Sequence, residues 1–83
     1  MMQDVILKYL KENHEVTETD GYTVWVNGYV LLWIYAQYVR VYIHEATDHV
    51  VRFYDPDFFA KLDRSIEDRR NEILAAGGYQ RYA

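Results

Sequence analysis

Residues 22–36 read Tyr-Thr-Val-Trp-Val-Asn-Gly-Tyr-Val-Leu-Leu-Trp-Ile-Tyr-Ala, and this stretch decides the fold. Two runs of β-branched and aromatic residues flank Asn27-Gly28. Asn-Gly accepts the positive φ angles of a type I′ turn, whose twist matches that of the strands it joins. A two-residue loop predicts that Val26 faces Tyr29, Val24 faces Leu31 and Tyr22 faces Trp33. Those six residues then share one sheet face, and Thr23, Trp25, Val30, Leu32 and Ile34 share the other.

Working outward, Tyr38 to Glu45 reads as a third strand. A two-residue turn at Ala36-Gln37 sets Tyr35 against Tyr38 and Ile34 against Val39. Val30, Leu32, Ile34, Val39, Val41 and Ile43 then gather on one face, which supports that register. Thr47-Asp48-His49 makes the next turn, and Val50 to Asp55 a fourth strand. An odd loop places Val51 and Phe53 with the aliphatic face; an even one buries Arg52 there instead. The odd loop is preferred because it leaves the guanidinium in water.

Helices bracket the sheet. In Met2–Asn13, Met2, Val5, Ile6, Tyr9 and Leu10 recur at helical spacing. Asp55-Pro56-Asp57 opens a second helix, with Asp55 as cap and Pro56 at the first helical position. Phe58, Phe59, Leu62, Ile66 and Ile73 form its apolar stripe, and Gly77-Gly78 ends it in a left-handed turn. Arg69 falls within the stripe, where it could snorkel or pair with a sheet carboxylate such as Glu45. Between the first helix and the hairpin, Glu15 to Gly21 carries three acids and no base, and reads as a solvated loop.

The expected fold class is α+β: a four-stranded antiparallel meander with an N-terminal and a C-terminal helix (α-β-β-β-β-α). The 83 residues form a single domain, 1–83. Residues 1–14 are helix, 22–55 antiparallel sheet, 56–76 helix and 77–83 a loosely ordered tail.

Composition narrows the function. Hydrophobic residues make up 51% of the chain, which excludes intrinsic disorder. There is no cysteine, hence no disulfide, no thiolate-held zinc and no thiol nucleophile. The net charge of −4 is too mild for a polyanionic DNA mimic and has the wrong sign for a general nucleic-acid binder. No uncharged apolar run approaches the roughly 20 residues of a membrane helix, and no leader sequence is visible. The expected location is therefore cytoplasmic, with no membrane partner.

Catalytic chemistry has little to work with. Ser65 lies mid-helix, and no G-x-S-x-G elbow or phosphate-binding glycine loop is present. No nucleophile, base and orienting group can be assembled from the sequence, so the expectation is that the chain is not an enzyme and needs no cofactor. His44 and His49 flank one turn beside Glu45 and Asp48, and could hold a metal or small ligand. Their spacing matches no ligand signature, and the expectation is no metal site.

The aromatic residues are the anomaly. Fourteen residues are Phe, Trp or Tyr, nine of them Tyr, and most lie between Tyr22 and Phe59. A water-facing antiparallel sheet normally alternates apolar with polar residues; this one alternates aliphatic with aromatic. Tyr22, Val24, Tyr29, Leu31, Trp33, Tyr35, Tyr38, Arg40, Tyr42 and Arg52 are the candidate interface. Either the first helix folds across them, or both helices sit on the aliphatic face and the aromatic face is left for a partner. Tyr, Trp and Arg are the residues that dominate protein interfaces. The expected function is therefore a small non-enzymatic protein-binding module acting by stoichiometric interaction. Such acidic binders are typical of phage and mobile-element inhibitors or regulators of host systems. The expected partner is a protein, and the chain is expected to form a homodimer. The alternative of a different class is single-stranded nucleic acid stacked on the aromatic face.

Overall fold

A computed structural model of the chain describes residues 1–42 and 49–78. The order of elements is α1 (Met2–Asn13), β1 (Val16–Asp20), β2 (Thr23–Val26), β3 (Val30–Ile34), β4 (Tyr38–Val41), β5 (His49–Arg52) and α2 (Phe58–Ala75). The strands form one antiparallel sheet in the order β1-β2-β3-β4-β5. The α+β class and the flanking helices stand as expected. The sheet has five strands rather than four.

The additional strand is β1, within the stretch expected to be a loop. It carries one aliphatic residue, Val16, which pairs with Val26 and packs against the core. Its polar residues suit an edge strand, because charge on an edge discourages pairing with other chains. Asn27 fixes where the pairing begins. Its backbone N–H donates to the Glu15 carbonyl at 2.7 Å, and its side-chain oxygen accepts from the Glu15 N–H at 3.1 Å.

The hairpin register also differs. Val26 pairs with Val30, Trp25 with Leu31, Val24 with Leu32 and Thr23 with Trp33. Asn27 and Gly28 do take positive φ, 56° and 75°, and the Tyr29 N–H closes the turn on the Val26 carbonyl. Tyr29 is then an extra residue on the β3 side, and one extra residue reverses which side chains share a face. The gain is a uniform core. Val24, Val26, Val30, Leu32, Ile34, Val39, Val41 and Val51 are all buried on one side of the sheet. Under the two-residue register Trp25 would have entered that layer, and Val24 and Val26 would have faced outward.

Ile34 pairs with Val39, as expected, and Val51, paired with Val39, is buried on the aliphatic face where the odd loop placed it. Phe53 packs against the buried cluster and Arg52 is exposed, so the odd register between the last two strands holds. The fourth expected strand, Val50 to Asp55, instead runs His49–Arg52: His49 belongs to the strand rather than the turn, and the chain turns over Arg52 to Asp55. The Asp55 side chain accepts from the Arg52 N–H at 3.1 Å, so it closes this turn rather than capping a helix. The last helix consequently begins at Phe58, after Asp57 in a left-handed conformation, and not at Pro56. Its end is as expected. Gly77 has φ 80°, its N–H donates to the Leu74 carbonyl, and the Gly78 N–H donates to the Ile73 carbonyl. That pair of bonds is a Schellman motif, which satisfies two carbonyls left open by the helix end. Ile43, His44, Glu45, Ala46, the Thr47-Asp48 turn and the tail from Tyr79 lie outside the described residues.

Both helices lie on the aliphatic face. Ile6 and Leu10 of α1, and Phe58, Leu62 and Ile66 of α2, join the strand valines in one buried cluster. The helices also meet each other. Tyr9 stacks on Phe59 at 4.3 Å between ring centroids. The Tyr9 hydroxyl donates to Asp63 at 2.5 Å, and His14 Nε2 lies 2.9 Å from the other Asp63 oxygen. At the other end of α1, the Gln3 amide donates to the Ile34 carbonyl at 3.0 Å, anchoring the helix to the end of β3.

The Tyr9–Asp63 bond, with burial and the Asp63 charge adding to it, pushes the Tyr9 hydroxyl from its ordinary pKa of 10.0 up to about 12. Because the folded value is raised, this contribution to stability is complete below pH 10 and is lost as pH climbs through 12. Tyr9→Phe removes a hydrogen bond to a charged acceptor and should cost about 1–2 kcal/mol. In urea titrations the gap between wild type and Tyr9→Phe should stay constant below pH 10 and close toward pH 12. A gap that widens with pH would contradict this assignment.

Candidate functional site

Apart from the last turns of α2 at the hairpin end, no described element covers the side of the sheet away from the helices. Register places its side chains in rows. Thr17, Trp25, Leu31 and Tyr42 make the first, since Thr17 pairs with Trp25, Trp25 with Leu31, and the Tyr42 N–H donates to the Leu31 carbonyl. Asp20, Thr23, Trp33, Arg40 and Val50 make the second. Tyr38 and Arg52 make the third, with Tyr35 beside Tyr38 at a ring distance of 4.9 Å.

Adjacent large side chains on this outer face shelter one another. Trp33 meets Tyr42 edge to face at 5.4 Å, and the Arg40 guanidinium lies 4.7 Å above the Trp33 ring. Leu31, Trp33, Tyr38, Arg40 and Tyr42 are therefore half-buried, while Tyr35 and Arg52 are exposed. These contacts order the rings against one another. A surface of pre-ordered aromatic side chains loses little side-chain entropy when it binds.

Of the ten residues expected at the interface, the outer face brings together Leu31, Trp33, Tyr35, Tyr38, Arg40, Tyr42 and Arg52. Val24 does not belong to it. The hairpin register turns Val24 into the core, where it is fully buried. Tyr22 lies in the turn before β2, and its hydroxyl donates to Asp4 of α1 at 2.5 Å. That bond, first among the causes, raises the Tyr22 pKa. Tyr29 sits at the hairpin tip, packed against the core, with the Arg70 guanidinium 5.5 Å from its ring. Trp25 is the residue that sequence reading missed. The signal was present: Val24 and Val26 match the aliphatic layer, and Trp25 matches Leu31 and Trp33.

At the hairpin end the first row runs into a groove of about 580 Å³ between the sheet and the last turns of α2. Trp25, Tyr29, Leu31 and Tyr42 line one side, and Arg69, Glu72 and Ile73 the other. Arg69 bridges them. Its Nε donates to the Tyr42 carbonyl at 3.1 Å, and its Nη1 lies 3.4 Å from Glu72. The expected partner for Arg69, Glu45, lies outside the described residues.

Other chemistry is sparse. His49 Nδ1 lies 2.9 Å from the Ser65 hydroxyl on an exposed rim. Among the described residues no carboxylate hydrogen-bonds the second nitrogen of that ring, as a triad-like base would require. No cluster of three or more His, Asp or Glu residues with metal-binding geometry occurs among the described residues. His44, Glu45 and Asp48 of the proposed turn site lie outside them. No described helix is long and apolar enough to cross a membrane. Comparison with protein-family models, curated proteins and solved structures found no match for the chain.

Proposed function

We propose that this chain is a non-enzymatic protein-binding module that acts stoichiometrically through the outer face of its sheet. The observation that carries this reading is the placement of both helices on the aliphatic face. It puts Trp25, Leu31, Trp33, Tyr38 and Tyr42 in one continuous patch on the other side, over which, among the described residues, no helix or strand lies apart from the last turns of α2 at the groove. A soluble monomer rarely shows an apolar patch beyond a few hundred Å², and larger ones mark contact sites. The flanking arginines, Arg40 and Arg52, add the polar handles common at such sites. A module of this kind works by occupying its partner's surface, and it needs neither cofactor nor metal.

The experiment is binding of the dye 1-anilinonaphthalene-8-sulfonate to dilute, fully folded protein. The wild type should bind it, and Trp33→Lys should abolish binding with unchanged far-ultraviolet circular dichroism and a cooperative unfolding transition. A folded wild type that ignores the dye would contradict the reading, since the patch would then be covered.

A second reading rests on the stack of Arg40 over Trp33 beside Tyr38 and Tyr42, an arrangement that also suits bases of a single strand. Among the described residues two arginines, Arg40 and Arg52, serve this face, on a chain of net charge −4. Labelled single-stranded oligonucleotides should therefore show no anisotropy change near physiological salt at tens of micromolar protein. A complex that weakens steeply with salt would favour nucleic acid over protein.

A further inference from the structure

We infer that the outer edge of β1 is a strand-addition site for an extended basic segment of another protein, which adds a sixth strand to the sheet. This goes beyond the outer-face reading. It assigns a second surface, made of backbone groups rather than rings, and it holds or fails separately.

Antiparallel pairing decides which backbone groups β1 has already spent. Facing residues alternate between pairs that exchange both bonds and pairs whose N–H and C=O turn to the other side. Glu15 is of the first kind: its carbonyl accepts from the Asn27 N–H, and its own N–H donates to the Asn27 side chain. Val16 opposite Val26 is then of the second kind, Thr17 opposite Trp25 of the first, and Glu18 opposite Val24 of the second. The far side of β2 gives the same phase. The Ile34 N–H donates to the Tyr22 carbonyl, which turns Val24 toward β3 and Trp25 toward β1. The N–H and C=O of Val16 and of Glu18 therefore point away from β2, in the plane of the sheet. In the strand order β1 has a neighbour on one side only among the described residues. Two donors and two acceptors at alternate residues are what an added strand reads.

The opposite edge is closed. The Phe53 N–H donates to the Gln37 carbonyl, so Val50 and Arg52 are the residues of β5 that turn outward. Both groups of Arg52 are spent on its own turn: its N–H donates to the Asp55 side chain at 3.1 Å, and its carbonyl accepts from the Asp55 N–H at 3.0 Å. Within β5 that leaves Val50 alone with outward groups, too few to hold a strand.

Charge chooses the occupant. The exposed residues Glu15 and Asp20 flank the open run at its two ends. A second copy offering the same edge sets acids against acids, and like charges on facing strands are destabilising. A segment with Lys or Arg at its ends reverses that sign. Between the ends, the position facing Thr17 lies on the outer face beside the first row, and the position facing Val16 lies on the side of the core. β-Branched residues suit both.

The probe is the peptide acetyl-Lys-Lys-Val-Thr-Val-Lys-Lys-amide, titrated into the full chain at low salt and followed by amide chemical shifts and hydrogen exchange. With its Thr opposite Thr17, its two Val N–H groups point at β1 and its Thr N–H points away. Four backbone bonds with the end charges correspond to a dissociation constant of about 0.1–1 mM. The Val16 and Glu18 amides should shift and exchange more slowly. N-methylation of the two Val residues should abolish binding, and N-methylation of the Thr should leave it in place. The peptide with Glu for every Lys should not bind. The double variant Glu15→Lys, Asp20→Lys should invert that preference, weakening the basic peptide about tenfold. Trp33→Lys should bind the basic peptide as the wild type does, whatever becomes of the outer face. The methylated peptides need no variant of the chain, and circular dichroism checks the fold of each variant used.

Equal binding of the Val-methylated peptide would mean attraction by charge alone and overturns strand addition. Unmoved Val16 and Glu18 amides at millimolar peptide overturn it as well. Protection of those amides in the chain alone, rising with protein concentration, gives the edge to a second copy and overturns the basic partner. Loss of peptide binding in folded Trp33→Lys transfers the contact to the outer face and overturns the edge site.

Discussion

Val24→Asp should leave no cooperatively folded protein, while Trp25→Asp, one residue along, should remain folded. Val24 is fully buried, pairs with Leu32 and belongs to the one apolar cluster that the sheet shares with both helices. An unpaired acid at such a site costs more than about 4 kcal/mol even after its own pKa rises to avoid ionisation. A small domain has only about 5–15 kcal/mol in total, and this one is at the small end. Trp25 lies on the far side of the same strand and is half-buried against its row neighbours. Its replacement removes apolar contact worth about 1–2 kcal/mol and leaves the charge facing water. Urea unfolding followed by circular dichroism separates the two. Had the hairpin closed on a two-residue loop, the outcomes would be exchanged, so the pair reads the register directly.

Leu10→Ala should lower stability by about 2–5 kcal/mol, the range for truncating a leucine in a packed core. Leu10 is fully buried, and α1 is held along that face by Ile6 and Leu10 inside and by bonds of Gln3, Asp4, Tyr9 and His14 at its rim. A helix of 12 residues has little stability alone, so losing its anchor should also free its amides to exchange. A second consequence separates the two faces of the sheet. Leu10→Ala and Trp33→Ala should be additive to within about 0.5 kcal/mol in dilute, monomeric protein, because residues on opposite faces share no partner. Strong coupling would mean that α1 packs over Trp33.

How legible was this arrangement in the sequence? The aliphatic layer was, because Val30, Leu32, Ile34, Val39, Val41 and Val51 alternate with period two through three strands. No one-residue slip keeps all of them inside. The helix stripes were legible for the same reason at period 3.6. The hairpin was half legible. Asn27-Gly28 announces the turn and takes the positive φ values it suggests, but loop chemistry does not say whether Tyr29 joins the ladder or stands outside it. Only the match of Val24 and Val26 with the core decides that. β1 was hidden because an edge strand needs little apolar content: Val16 is its one aliphatic residue, and acids that mark a loop also protect an edge. Asp55 misled because the same carboxylate that can cap a helix can close a turn. Which face α1 would take was not legible at all, since its stripe fits any apolar surface; the geometry of Gln3 on Ile34 and Tyr9 on Asp63 determines it.

The outer face was legible as a composition and not as a list. Leu31, Trp33, Tyr35, Tyr38, Arg40, Tyr42 and Arg52 follow from strand parity once β3 and β4 are in register. Val24 and Trp25 changed places with the single extra residue at Tyr29. Tyr22 and Tyr29 left the face because turn residues do not obey strand parity.

The central claim is that one sheet face belongs to the monomer core and the other to a partner. The most direct measurement is the thermal and urea unfolding of two neighbouring substitutions on β3, Leu32→Lys and Trp33→Lys. Leu32 is fully buried beneath the helices, and Trp33 points the other way beside Arg40 and Tyr42. The account predicts that Leu32→Lys is unfolded, and that Trp33→Lys keeps native circular dichroism with a cooperative transition. An unfolded Trp33→Lys, or a folded Leu32→Lys, would contradict it.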